Sequence, residues 1–106
     1  MQIEFEKDKN LSEIVAKLKA HFNPLKIYLF GSRAHGTANS DSDYDLFLVV
    51  KESNQRPIER MKKAHEILWG CKAPADIFIY TEVEFNEYKD EFSSIANTVV
   101  NEGVEL

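Results

Sequence analysis

Apolar positions recur along this chain with two different periods, and the switching between them outlines the fold. After Asn10, the residues Leu11, Ile14, Val15, Leu18 and Phe22 fall on one stripe at helical spacing. Asn10 is the expected N-cap and Asn23-Pro24 the expected stop. The run "LKIYLFG" reads as a strand closed by Gly31, "YDLFLVV" as a second strand and "ADIFIY" as a third. Between the second and third, "PIERMKKAHEILWG" reads as a helix with Pro57 in its first turn and Gly70 beyond its end. Its expected inward face carries Ile58, Met61, Ala64, His65 and Leu68. "EVEFNEYKDEF" and "SSIANTVVNEG" read as two short helices, and "VEL" as a frayed edge strand. Strands alternating with helices predict an α/β (α+β) domain, a mixed β-sheet with helices packed against it, spanning residues 1–106 as one domain.

The second strand changes the picture. Side chains alternate across a strand, so Asp43, Asp45, Phe47 and Val49 share one face and Tyr44, Leu46, Leu48 and Val50 the other. Both faces are apolar beyond Asp45, which predicts a central strand covered on both sides. Asp43 and Asp45 then stand side by side at its open end, roughly 6.5–7 Å apart along the chain. Two carboxylates so close repel, and one is pushed to a higher pKa unless a cation compensates. Such a pair is either a solvated acidic turn or an oxygen-ligand pair for a hard divalent cation such as Mg²⁺.

Three features favour the cation. Gly31-Ser32 closes the preceding strand, and a strand-to-helix turn presents free N–H groups suited to phosphate. Residues 33–42 separate that turn from Asp43, a spacing that can bring the two together. Asp76 sits in the later strand among Ala75, Ile77 and Ile79, where an acid wants a partner. Three carboxylates on neighbouring strands beside a phosphate-binding turn suit metal-assisted phosphoryl or nucleotidyl transfer. A calcium loop is the rival: Asp41, Asp43, Asp45 and Glu52 occupy its first, third, fifth and twelfth positions. Its sixth position needs glycine for the sharp turn and is Leu46 here, and no helix ends before Asp41.

Composition narrows the partners. A net charge of −5 argues against unaided nucleic-acid binding, which rests on Lys and Arg neutralising phosphates. Cys71 is the single cysteine, so no internal disulfide forms, in keeping with a reducing, cytoplasmic setting. It reads as a small packing residue without an activating neighbour. No apolar run is long enough to span a membrane, and no signal peptide is recognisable. Trp69 reads as a helix-end packing residue, and Phe85, Tyr88 and Phe92 as core.

The stretch "GSRAHGTANSDSDYDLFLVV", with Asp76 on a later strand, resembles the signature of the nucleotidyltransferase superfamily that includes DNA polymerase beta and the kanamycin nucleotidyltransferases. The short chain and the wording of the motif are most similar to the minimal nucleotidyltransferases. The resemblance covers roughly residues 10–100. It implies that Gly31 and Ser32 hold the outer phosphates of a nucleoside triphosphate, with Arg33 beside them. It implies that Asp43 and Asp45 ligate two Mg²⁺ ions and that Asp76 completes one site and helps deprotonate the attacking hydroxyl. Minimal members are often antitoxins encoded beside a HEPN-domain toxin, and the activity associated with such pairs, which the resemblance implies here, is transfer of AMP from ATP to a toxin tyrosine. By that resemblance, the expected assembly is a hetero-oligomer with a HEPN toxin; masking without catalysis, or modification of a small molecule such as an aminoglycoside, are the alternatives. His35 stands where many members have arginine. Asp41, with Ser40 and Ser42, is expected to shape the turn rather than bind metal.

Overall fold

The computed structural model describes residues 8–35, 43–71 and 73–106. Its elements run in the order α1 (Lys9–Phe22), β1 (Lys26–Phe30), α2 (Ser32–His35), β2 (Tyr44–Val50), α3 (Pro57–Ile67), β3 (Ala75–Thr81), α4 (Glu82–Tyr88), α5 (Ile95–Glu102) and β4 (Val104–Glu105). Among the described residues the sheet has four strands in the order β3-β2-β1-β4. β2 pairs antiparallel with β1 and parallel with β3, the latter through the α3 crossover, and β4 pairs antiparallel with β1. This is the mixed α/β sheet that the alternating periods predict, with β2 central.

The two faces of the sheet bury separate cores. One carries Ile27, Leu29, Leu46, Leu48, Ile77 and Ile79 against Leu11, Ile14, Val15 and Leu18 of α1, Ala64 of α3 and Leu68, which caps its C-terminus. The other carries Phe30, Phe47 and Val49 against Phe85 of α4 and Ala96 and Val99 of α5. Every side chain from Leu46 to Val50 is buried, because helices cover both sides of the strand. At roughly 1.5–3 kcal/mol for each fully buried large apolar side chain, β2 is the chief anchor of the fold.

Local chemistry sets the helix ends. α1 starts earlier than Asn10: Asp8 is its N-cap and accepts a hydrogen bond from the Leu11 N–H at 3.1 Å. Asn23 ends it in the left-handed conformation at φ 45°, which asparagine tolerates better than most residues. α4 opens with a capping box, Thr81 and Glu84 satisfying each other's backbone N–H groups. The inward face of α3 differs from the one expected. Arg60, Ala64 and Leu68 are buried, whereas Ile58 and His65 are exposed. Arg60 is only 4% exposed, since its guanidinium donates to the Ile79 and Gln55 carbonyls and forks onto the Glu84 carboxylate at 2.6 and 3.3 Å. A long polar side chain that finds a full set of partners can displace an apolar one from a buried stripe.

Three aromatic expectations fail, for Tyr88 is exposed along with Trp69 and Phe92. Trp69 is 88% exposed and Phe92 93% exposed, although Phe85 is buried as expected. The Trp69 and Phe92 rings both follow the last residues of short helices, α3 and α4, and neither belongs to a buried cluster among the described residues. No helix among the described residues is long and apolar enough to cross a membrane.

Candidate functional site

The open end of the sheet gathers the acidic residues. β2 and β3 run parallel in a register that sets Asp45 directly opposite Asp76. On the other side of β2, Phe30 stands opposite Asp45. Paired residues project to the same face, so Asp45 and Asp76 lie above the core that contains Phe30, Phe47 and Phe78. Asp43 precedes β2 by one residue and is exposed. Asp76 is exposed as well: it is not embedded, as its apolar neighbours suggest, but stands second in β3, at its open end, with Asp45 for a neighbour.

Asp45 is the most constrained of the three. Burial against the aromatic floor, where the Phe30 and Phe78 rings lie 5.9 Å apart, and then the charges of Asp76 and Asp43, push its carboxyl above the usual carboxylate range. Gly31 forms its seat. The glycine has φ 74°, and a Cβ there would overlap the Asp45 carboxylate, its Cγ lying 3.2 Å away. The glycine that ends β1 is therefore needed for two reasons: the backbone turns through a left-handed conformation, and the acid occupies the space of a side chain.

Ser32 opens α2 one residue beyond that seat, and the Ala34 N–H closes the turn onto the Gly31 carbonyl at 3.1 Å. Arg33 goes elsewhere. Its guanidinium lies 3.9 Å from the centroid of the Tyr44 ring, and Tyr44 belongs to the opposite core from Asp45. The Tyr44 hydroxyl in turn donates to Asp8 Oδ2 at 2.7 Å. Burial, and then that bond, raise the Tyr44 pKa to about 12, so the phenol stays a donor. Asp8 thus caps α1 with one oxygen and anchors the start of β2 with the other. Sequence alone missed this brace, because the two residues lie far apart in the chain and Asp8 carries no periodic signal. Ser40, Asp41, Ser42 and the side chain of His35 lie outside the described residues.

The carboxylate rim offers oxygen donors only, as a hard divalent cation prefers, and its mutual repulsion is what such a cation would relieve. Among the described residues no three acidic, imidazole or thiol side chains form a ready ligand cluster. Water and substrate oxygens would have to supply the remaining ligands of a cation held here. Cys71 is not a candidate nucleophile: burial, and then its hydrogen bond to Glu13, push its thiol up in pKa.

Comparison with known proteins gives the family of this fold. A chain from Methanocaldococcus jannaschii, described as a candidate protein adenylyltransferase, is 40% identical over 60 residues. The match covers 55% of this chain but only 41% of that one, so the chain spans about two fifths of the relative's length. A crystal structure of a candidate nucleotidyltransferase from Sulfolobus solfataricus is 31% identical, with a TM-score of 0.58, over 77% of this chain and 73% of its own. The structure of a mutant MntA-HpeT toxin-antitoxin has the same fold, with a TM-score of 0.62 at 22% identity over 90% of this chain and 69% of that one. Residues 12–106, nearly the whole chain and all of the carboxylate rim, match the family described as "Polymerase beta, Nucleotidyltransferase", and to that nucleotidyltransferase family the chain belongs.

Proposed function

We propose that this domain transfers AMP from ATP to a hydroxyl group, with a tyrosine of a HEPN-type toxin as the acceptor and the domain itself as the antitoxin. The observation that carries the proposal is the register of β2 on β3, which pairs Asp45 with Asp76 beside the Gly31-Ser32 turn. The relative described as a candidate protein adenylyltransferase supports the choice of reaction, and the fold shared with MntA-HpeT supports a toxin as partner.

In this scheme Gly31 and Ser32 meet the outer phosphates through backbone and hydroxyl donors. Arg33 joins them by leaving the Tyr44 ring. Asp43, Asp45 and Asp76 would hold Mg²⁺, two ions in all, which supply charge neutralisation when bound. The acceptor oxygen forms a bond to the α-phosphorus as the α–β phosphoanhydride bond breaks. Pyrophosphate leaves with the electron pair, and the exposed Asp76 carboxylate takes the hydroxyl proton. The chain's own contribution is placement and electrostatics, which dominate phosphoryl chemistry.

The test is incubation with α-labelled ATP, Mg²⁺ and the product of the neighbouring gene. Label should move to a tyrosine of that protein, and the Asp43→Asn/Asp45→Asn double variant, checked for a native circular dichroism spectrum, should move none. A double variant that still protects cells from the toxin would point to masking in place of chemistry.

A further inference from the structure

Trp69 stands 88% exposed at the end of α3, over a cavity of about 540 Å³ lined by His65, Leu68, Cys71, Ala73, Pro74 and Ala75. The described walls are mostly apolar, with His65 the one charged-type side chain among them, and the volume is that of a small-ligand site. The cavity ends at Ala75, the residue immediately before Asp76. Along β3 these two side chains point to opposite faces: Ala75 packs with the α1–α3 core, and Asp76 projects with Asp45. Pro74 also accepts the Tyr44 N–H at 3.0 Å, so the cavity floor is tied to the start of β2.

We propose that this cavity is the acceptor-docking subsite, and that its occupant is an aromatic side chain flanking the target hydroxyl in an extended polypeptide segment. The assignment rests on the transfer scheme above, in which Asp76 receives the hydroxyl. The Gly31-Ser32 turn follows β1 and Asp76 stands second in β3, with β2 between them, so the phosphates and the acceptor approach from opposite sides of the rim. The cavity lies on the acceptor side. An extended segment crossing the open end of β3 sends successive side chains to opposite faces. One residue then presents its hydroxyl to Asp76 while its neighbour enters the cavity beneath the indole. The mostly apolar lining selects against a cationic polyol such as an aminoglycoside, which would need carboxylates, and none stands among the described lining residues.

The chain has one tryptophan, so its fluorescence reports on Trp69 alone. The probes are an alanine-based heptapeptide with adjacent phenylalanine and tyrosine, its counterpart with the phenylalanine replaced by alanine, kanamycin, and ATP with Mg²⁺. The first peptide should give a saturable blue shift, and losing the phenylalanine should raise the half-saturating concentration about tenfold. Kanamycin and ATP should leave the emission unchanged. In Trp69→Ala, the KM difference between the peptides in AMP transfer should vanish while the KM for ATP holds. Equal binding of the two peptides, or a shift with ATP alone (a nucleobase in the cavity), overturns the proposal. A blue shift without any transfer would instead overturn the transfer scheme and leave the docking surface standing.

Discussion

The Asp45 carboxylate rests on Gly31: a Cβ on the glycine would collide with it, and the glycine holds φ 74° besides. Gly31→Ala therefore acts twice. The left-handed backbone costs roughly 1–2 kcal/mol for an alanine. The new methyl group also forces Asp45 off its seat opposite Asp76, and a displacement near 1 Å is worth about 100-fold in rate for chemistry that depends on placement. Stability by urea unfolding and AMP transfer by label should thus fall by unequal amounts, transfer far more than stability. Transfer reduced only in line with the unfolded fraction would mean that the seat does not matter.

Asp45 also fixes a pH dependence. Its native carboxyl titrates above the usual value of 3.8, first through burial and then through Asp76 and Asp43. The native state therefore holds this proton more tightly than the unfolded chain does. The stabilisation this brings is complete below the unfolded carboxyl's pKa, and is lost as pH rises through the native one. In EDTA, Asp45→Asn should lack that loss, so its stability advantage over the wild type should grow from acid to neutral pH. Mg²⁺ should reverse the ranking at neutral pH by binding only the ionised wild type. Parallel unfolding curves for the two proteins across the range, with EDTA, would remove Asp45 as a strained acid.

Much of this arrangement is legible in the sequence. The period-two run from Tyr44 to Val50 gives the central strand with its bounds, and the same alternation separates Asp45 from Tyr44 and sends them to different cores. The pairing of Asp45 with Asp76 was expected only as a neighbourhood; its register depends on how α3 carries the chain from β2 to β3. What the sequence conceals are contacts without a period. Asp8 reaches Tyr44 across the fold, and Arg60 takes an inward place that apolar patterning gives to Ile58. Trp69 misleads in the other direction, since a large apolar residue packs only when some element lies over it, and composition cannot report that.

The Asp8–Tyr44 brace should be measurable apart from the rim. Tyr44→Phe keeps the ring under Arg33 and removes only the hydroxyl donated to Asp8 at 2.7 Å. A lost hydrogen bond to a charged, half-buried carboxylate costs about 1–2 kcal/mol. In the wild type the phenol's pKa is raised to about 12 from 10.0, so its stabilisation is complete below the unfolded value and disappears as pH rises toward 12. Hydrogen exchange should show the start of α1 fraying first in the variant, because Asp8 loses the partner that orients its cap. Unaltered protection of the Leu11 amide would separate the cap from the brace.

The Arg60–Glu84 pair offers the sharpest stability test, because the charge can be removed with little change of shape. Glu84 accepts from Arg60 at 2.6 Å and from the Thr81 N–H at 2.8 Å, joining α3, the end of β3 and the first turn of α4. Glu84→Gln keeps an oxygen for Thr81 but leaves the buried guanidinium without its counter-charge. Breaking a buried pair costs roughly 3–5 kcal/mol, and the lower figure applies because Glu84 is partly exposed. Adding Arg60→Met should restore much of the loss, since an apolar chain of similar length suits the Ala64–Leu68 stripe. The wild type should show a pH signature that both variants lack. The hydrogen bonds from Arg60 are the main cause holding Glu84 below its usual 4.5, so its contribution is full above that value and is lost as pH falls through the native one. Urea unfolding through the acid range should therefore bring the wild type and Glu84→Gln together as pH falls. A gap that stays constant would place the cost of Glu84→Gln in packing and not in the ion pair.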